Sequence, residues 1–348
     1  MSKKICAALV LGAMALALTL PVWAGGKKDA APVAQPATQG PALSGKKVIV
    51  ADANSTHHLN LYVAYEKGLF TKRGLEVEIQ QTNSGVAAVV GGEANIVFNC
   101  PTGVITPIAK GQDITIISQV KIPCTSVLVV PVNAPVKTPA DLKNLQIAGL
   151  SNTCCAVISI RDNLKSQYST EFELVALAPG AALAALEGAA VKAAILEEPF
   201  VAEALLLKDA AGKPKFKTIF DGHSDANGDG ATDKNLAGEN PPCRTINANT
   251  AFIRDRFGDA KVFIEAIAEA DQIILANPTA ADIVAIAHKY VPNVSEQAII
   301  NSNPKLGFTT KLATDQLIGY AQALVNQGTI DKNPGEALFA PEFKGITW

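Results

Sequence analysis

Polar side chains follow several predicted strands of this chain, in short loops that lead into helices. Loops of this kind bind anions, because free N–H groups and the dipole at a helix N-terminus favour negative charge. Hydroxyl groups would add hydrogen-bond donors. The candidate ligand-binding residues are His57, His58, Asn83, Ser84, Asn99, Cys100, Thr102, Ser151, Thr153, Cys154, Cys155 and Glu198. Each could instead be an ordinary helix cap, and it is their shared position after strands that predicts a polar cleft.

The cysteines suggest a second chemistry. Five remain once the first 24 residues are set aside, so at least one is not in an internal disulfide in an oxidising compartment. Three of them share the polar loops with both histidines, which raises the hypothesis that thiolates and imidazoles bind a soft metal or a thiol-reactive ligand across the cleft. The alternative is one disulfide, between Cys124 and Cys243, with the other thiols buried and free.

Oxygen-bearing side chains in residues 225–233 resemble a calcium loop. Asp225, Asn227, Asp229 and Asp233 occupy loop positions 1, 3, 5 and 9, and a glycine occupies position 6. Position 12 is Leu236 rather than the bidentate glutamate, so a soluble turn is the alternative. Calcium is the one cofactor that this pattern suggests, and none is expected to be required.

Catalysis is the competing function for the histidines and thiols. His57 or His58 could act as a base beside a cysteine nucleophile, but no local signature of a catalytic triad accompanies them. We therefore expect a binding protein rather than an enzyme.

Repeated strand–loop–helix units must position these side chains. Apolar residues alternate with polar ones in residues 75–80, which is typical of a strand, whereas Leu61, Ala64, Tyr65 and Leu69 have helical spacing. Further strands are predicted at residues 47–51, 95–98, 114–118, 146–150, 172–177 and 192–196. Such succession predicts α/β folding with parallel pairing, and a ligand crevice at the carboxyl ends of the strands.

Composition limits the classes of function. The chain has 348 residues, of which 48% are hydrophobic and 18% charged, enough for one or two globular domains. Its net charge of -2 offers no basic surface for nucleic acid, so we expect no nucleic-acid partner. Lys121, Arg161 and Arg244 are candidate partners for a small anion, with a solvated surface position as the alternative for each.

The start of the chain has the pattern of a secretory signal peptide. Lys3 and Lys4 precede an apolar run, and small residues follow near Ala24. The apolar run is roughly 14 residues long, shorter than the roughly 20 that a membrane-spanning helix needs. We predict a cleaved signal peptide at residues 1–24, a flexible linker at 25–45, and a periplasmic mature protein.

The remaining chain is expected to form two lobes joined by two crossings. Pro135 and Pro139 interrupt the pattern after the apolar segment 126–132, and another apolar segment at residues 250–253 suggests the return. Lobe 1 is therefore predicted to contain residues 46–132 and 251–348. Lobe 2 is predicted to contain residues 133–250, with an insertion at 221–244.

Several motifs resemble those of one family. They lie at residues 61–70 with 74–77, 92–96, 138–142 and 193–200. In their order and spacing, residues 46–289 resemble the nitrate, sulfonate and taurine type of periplasmic solute-binding protein of ABC importers, whose wider branch includes binders of thiamine pyrimidine precursors.

The resemblance implies a two-lobed type II binding fold, with two parallel or mixed sheets and a ligand cleft between the lobes. Closure of the cleft on a small anionic or organic solute would be sensed by a membrane permease, and such a carrier works as a monomer. Glu198 occupies the Glu-Pro position of the family. A pyrimidine precursor would need aromatic stacking, for which the predicted loops offer only His57 and His58 as rings.

Overall fold

The computed structural model describes residues 42–238 and 241–346. The predicted signal peptide and most of the predicted linker lie outside these residues. Ten strands are described: β1 (Val48–Asp52), β2 (Val77–Gln81), β3 (Ile96–Asn99), β4 (Thr115–Lys121), β5 (Val127–Pro131), β6 (Gln146–Gly149), β7 (Glu173–Ala176), β8 (Ala193–Leu196), β9 (Phe216–Ile219) and β10 (Arg244–Ala248).

Helices connect and cover the strands. The α-helices are α1 (Leu59–Glu66), α2 (Gly85–Val90), α3 (Pro101–Ala109), α4 (Cys155–Tyr168), α5 (Pro179–Glu187), α6 (Phe200–Leu206), α7 (Thr250–Asp255), α8 (Phe257–Ala276), α9 (Ala281–Tyr290), α10 (Glu296–Ser302) and α11 (Thr314–Asn326). Short 3-10 helices lie at Thr56–His58, Thr71–Arg73, Pro139–Leu142, Asn303–Lys305, Gly335–Leu338 and Pro341–Phe343. Among the helices described, none has both the length and the apolar character needed to cross a membrane.

The strands form two mixed sheets, which confirms the predicted fold class. The first has the order β2-β1-β3-β10-β4, in which β1 is parallel to β2 and β3, and β10 is antiparallel to β3 and β4. The second has the order β7-β6-β8-β5-β9, in which β6 is parallel to β7 and β8, and β5 is antiparallel to β8 and β9. We call the first sheet with its helices lobe 1, and the second sheet with its helices lobe 2.

Both crossings lie one strand earlier than the sequence suggested. Strand β5, assigned to lobe 1, pairs in the sheet of lobe 2, and β10, assigned to lobe 2, pairs in the sheet of lobe 1. The crossings are therefore residues 122–126 and 220–243, and residues 250–253 begin α7. Prolines after β5 mark the end of a strand, and a turn signal does not reveal which sheet that strand joins.

The lobes are packed against each other at more than one place. Aliphatic and aromatic side chains together form the core of lobe 1, where the rings of Phe70 and Phe263 stack with centroids 4.9 Å apart. A second core joins both lobes, because Val104 of α3, Val157 of α4 and Leu317 of α11 belong to one buried cluster. This shared core places α11 beside both lobes, and α6 of lobe 2 also lies against α10 of lobe 1, where Glu203 accepts a hydrogen bond of 2.6 Å from the Ser295 hydroxyl.

Asp271 of α8 gives lobe 1 a pH-dependent stability. Its Oδ1 accepts a hydrogen bond of 2.8 Å from Asn60, while its Oδ2 has no partner among the described residues. Burial raises the pKa of this carboxyl to about 8, so the folded chain holds a proton that the unfolded chain loses near pH 4. Its contribution to stability is therefore lost as pH rises from about 4 to about 8.

We expect Asp271→Asn to remove this dependence. Between pH 5 and 7 the unfolding free energy of the parent should fall relative to the variant by about 1.4 kcal/mol per pH unit. Urea denaturation of both proteins at several pH values measures the difference. Parallel curves for the two proteins would show that Asp271 is ionised in the folded state.

Candidate functional site

A cleft of about 670 Å³ lies between the carboxyl ends of strands from both sheets. Lobe 1 contributes the loops after β1, β2 and β3, and lobe 2 contributes the loops after β6, β7 and β8. This is the position that the strand–loop–helix pattern predicted. A larger cavity of about 1100 Å³ lies beside the predicted insertion, and among described residues the loops after β1, β2 and β3 do not line it.

A hydrogen-bonded group around Asp52 forms the lobe 1 side of the cleft. Asp52 Oδ1 lies 2.6 Å from His58 Nδ1, and its Oδ2 accepts a hydrogen bond of 2.7 Å from the hydroxyl of Tyr62. Burial favours a higher pKa for Asp52, but the His58 imidazole and these hydrogen bonds outweigh it and lower that pKa below its usual value. His58 Nε2 is buried and has no partner in the part of the chain that the structure describes.

Two ion pairs join lobe 1 to lobe 2 at the cleft. Arg244 Nη2 donates to Glu197 Oε2 at 2.9 Å, and Lys305 Nζ donates to Glu198 Oε1 at 2.6 Å. Burial raises the pKa of Glu197 even though the guanidinium of Arg244 opposes the rise. Both glutamates that line the cleft therefore have a basic partner.

The N-terminus of α5 adds uncapped donors to the cleft. The helix begins at Pro179 without a side-chain cap, and Gly180 and Ala181 line the cavity. Free N–H groups in a first helical turn favour a negatively charged or strongly polar partner. Phe98 and Phe200 supply apolar walls between these polar groups.

The structure brings together only part of the predicted ligand-binding set. Those that line the cleft are His58, Asn83, Asn99, Cys100 and Glu198. Thr102 lies outside it and donates a hydrogen bond to the carbonyl of Thr153 in the other lobe. The remaining predicted residues are not part of its lining: Ser84 precedes α2, Ser151 lies 3.2 Å from Thr153 through their hydroxyls, and His57, Cys154 and Cys155 are buried.

Sequence reasoning missed Asp52, Glu197 and the two phenylalanines. Asp52 is the last residue of β1, so its position after an apolar strand was a usable signal. Phe98 and Phe200 had no such signal, because an aromatic residue in a strand or helix is usually part of a core. Of the candidate basic partners, Arg244 reaches the cleft, whereas Arg161 donates to Asn152 at 3.0 Å.

The five cysteines within the described residues are free and buried, so the Cys124–Cys243 disulfide is not formed. The sulfur atoms of Cys100, Cys154 and Cys155 all lie within 4.8 Å of one another, as do those of Cys124, Cys155 and Cys243. His57 Nδ1 lies 3.7 Å from Cys243 Sγ. Burial and the charge of Lys121 lower the pKa of His57 to about 3, so its ring is neutral at pH 7.

The predicted calcium loop is organised by its own hydrogen bonds. Asp225 accepts from the N–H groups of Asp229 and Gly230, at 3.1 and 2.9 Å. Asp233 accepts from the N–H of Ala226 at 2.6 Å. Within the described residues, these carboxylates are not among the groups of three whose ligand atoms converge. Calcium binding here stays a prediction.

Comparisons with known proteins agree with this architecture. Residues 55–180 match the family described as NMT1/THI5 like, and no curated protein matches the sequence. The fold is similar to that of the periplasmic aliphatic sulphonate binding protein SsuA from Escherichia coli, at 15% identity and a TM-score of 0.63, over 82% of this chain and 89% of that one.

Two further structures show the same similarity of fold. The periplasmic nitrate-binding protein NrtA from Synechocystis PCC 6803 has 13% identity and a TM-score of 0.64, with 83% of each chain covered. The ligand binding component of an ABC-type import system from Staphylococcus aureus, with zinc bound, has 12% identity and a TM-score of 0.68, covering 87% of this chain and 99% of that one. The predicted resemblance is confirmed for the matching domain and for the two-lobed fold.

Proposed function

We propose that this chain is the extracytoplasmic solute-binding component of an ABC importer. The observation that carries the proposal is the cleft between the carboxyl ends of strands from both lobes, lined by paired charges and uncapped helical N–H groups. Closure of the lobes on a small organic solute would present a changed shape to a membrane permease. A periplasmic location, a monomeric state and the absence of turnover belong to the same proposal.

The balance of charge favours a solute that bears both signs. Arg244 and Lys305 are already paired with carboxylates, so a bare anion such as nitrate would find no free cation among the described lining residues. A taurine-like solute could direct its sulfonate to the N-terminus of α5 and its ammonium to the partly exposed carboxylate of Glu197, which it would share with Arg244. Both of its charges would then have partners in the closed cleft.

A precursor of the thiamine pyrimidine is the second candidate. The observation that favours it is the pair of aromatic walls, Phe98 and Phe200, which the predicted loops did not include. A flat heterocycle could stack on such walls.

Isothermal calorimetry with taurine, ethanesulfonate, nitrate and an aminopyrimidine tests the proposed solute. We expect taurine to bind with the highest affinity, and at 100 times its dissociation constant to stabilise the protein by about 2.7 kcal/mol. Preferential binding of nitrate or ethanesulfonate would contradict the charge argument, and preferential binding of the aminopyrimidine would select the second candidate. Small-angle scattering with the bound solute should show compaction; an unchanged radius together with accumulating product would exclude a carrier.

A further inference from the structure

The five buried thiols lie in segments of both lobes and in the two crossings. Cys100 precedes α3 of lobe 1, Cys154 and Cys155 lie at the start of α4 of lobe 2, and Cys124 and Cys243 lie in the two crossings. Each is at most 8% exposed. Segments far apart in the sequence therefore place their sulfur atoms in one group beneath the cleft.

The spacing of the sulfur atoms fits metal coordination by three thiolates. A metal–sulfur bond of about 2.3 Å in a trigonal plane separates neighbouring sulfurs by about 4.0 Å. Both groups of three satisfy the wider limit of 4.8 Å, so small side-chain rotations would complete either site. Cys155 belongs to both groups and could bridge two ions.

The number and type of ligands favour a soft ion of low coordination number. Structural zinc sites use four ligands in a tetrahedron, but each group within the described residues offers three. His57 lies close to Cys243 but is not part of either converging group. Soft thiolate sets without further donors suit Cu(I).

The surroundings of the thiols suit a negatively charged metal–thiolate group. Lys121 is fully buried, and its Nζ donates to the carbonyl of Pro123 at 2.7 Å, with no carboxylate within 4.0 Å among described residues. Arg244 Nη1 lies 3.6 Å from Cys243 Sγ, and the N–H of Cys155 donates to Cys100 Sγ at 3.1 Å. If the thiols were only small apolar side chains of the core, they would need none of these cations and hydrogen-bond donors.

We propose that the five thiols form a resident binding site for two Cu(I) ions, placed where the lobes join. One ion would be held by Cys100, Cys154 and Cys155, and the other by Cys124, Cys155 and Cys243. The site shares Cys100 with the lining of the solute cleft, but it does not rest on the proposed transport function. The first ion would link lobe 1 directly to lobe 2.

Anaerobic titration of the reduced full chain with Cu(I), against a chromophoric Cu(I) chelator, tests the proposal. We expect two ions per chain. Cys100→Ser and Cys124→Ser should each weaken the binding of one ion and leave the binding of the other unchanged. The loss of affinity should exceed the about 10- to 100-fold loss that follows from changing a residue next to a metal ligand. Cys155→Ser should weaken both. Ser302→Ala changes a buried hydroxyl that bonds to Ile299, and should leave both ions bound.

Circular dichroism of each variant establishes that it is folded. If Cys155→Ser does not fold, Cys100→Ser and Cys124→Ser still test the two groups of thiols, because each is expected to weaken the binding of a different ion. Failure of the reduced parent to compete with the chelator would overturn the proposal. Equal copper binding by the parent and the serine variants would overturn it as well. Taurine binding by Cys124→Ser, whose thiol does not line the cleft, reports on the cleft independently.

Discussion

Replacing Arg244 with methionine should lower the free energy of unfolding by about 3–5 kcal/mol, as removal of one partner from a buried ion pair does. The guanidinium is 7% exposed, and the carboxylate of Glu197 that it contacts is 13% exposed. Methionine would leave Glu197 buried beside His57, whose ring is neutral at pH 7. Urea denaturation at pH 7 measures the loss, and we expect solute affinity to fall with it.

Two further variants separate the buried charge from lost packing. Adding Glu197→Gln to Arg244→Met should restore much of the stability, because the amide has no charge to bury. Arg254→Met removes an exposed ion pair with Asp255 and should change stability little. If the double variant is no more stable than Arg244→Met alone, the cost lies in packing rather than in the unpaired carboxylate.

Gly307→Ala should destabilise the protein by about 3 kcal/mol or more, at the upper end of the cost of overpacking. A Cβ atom at this position would lie 1.9 Å from the carbonyl oxygen of Ile122, which is backbone and cannot rotate away. A hydrogen bond between the same two residues also holds the first crossing in place: the N–H of Ile122 donates to the carbonyl of Gly307 at 2.8 Å. Thermal and urea denaturation measure the loss.

Gly319→Ala is the matched control. Gly319 lies within α11, and a Cβ atom there would meet no atom within 4 Å. Alanine is the better helix former, so this variant should gain about 0.5–1 kcal/mol. Equal effects of the two substitutions would mean that residues 306–308 move away from the crossing at little cost.

Local pattern was sufficient for strands β1 to β4 and β6 to β8 and for the position of the cleft, but β9 and β10 were not predicted. The alternation around Val77 and Ile79 predicted β2, and the polar residues after β1 and β3 predicted the loops that line the cavity. The identity of each contact depended on long-range packing. Glu197 rather than its neighbour Glu198 pairs with Arg244, because that arginine begins a strand of the other lobe.

The thiols illustrate the same limit. Sequence position placed three cysteines on loops after strands and two near the crossings, and that much agrees with the structure. It could not show that Cys155 lies close to sulfurs from both crossings, because that proximity depends on how the two lobes pack. Spacing along the chain therefore suggested ligand binding for the three loop cysteines and a disulfide for the other two, although all five thiols lie close together.

Strand β10 lies in the interior of the sheet of lobe 1, although it is the last strand of the chain. All five strands of lobe 2 precede it, so synthesis from the N-terminus supplies every strand of that lobe first. Until Ala248 has been added, β3 lacks one neighbour and β4 lacks its partner among the described strands. Unpaired strand edges are sites of aggregation in incomplete chains. The growing chain therefore carries its greatest risk of misassociation in lobe 1, throughout the time that lobe 2 is being made.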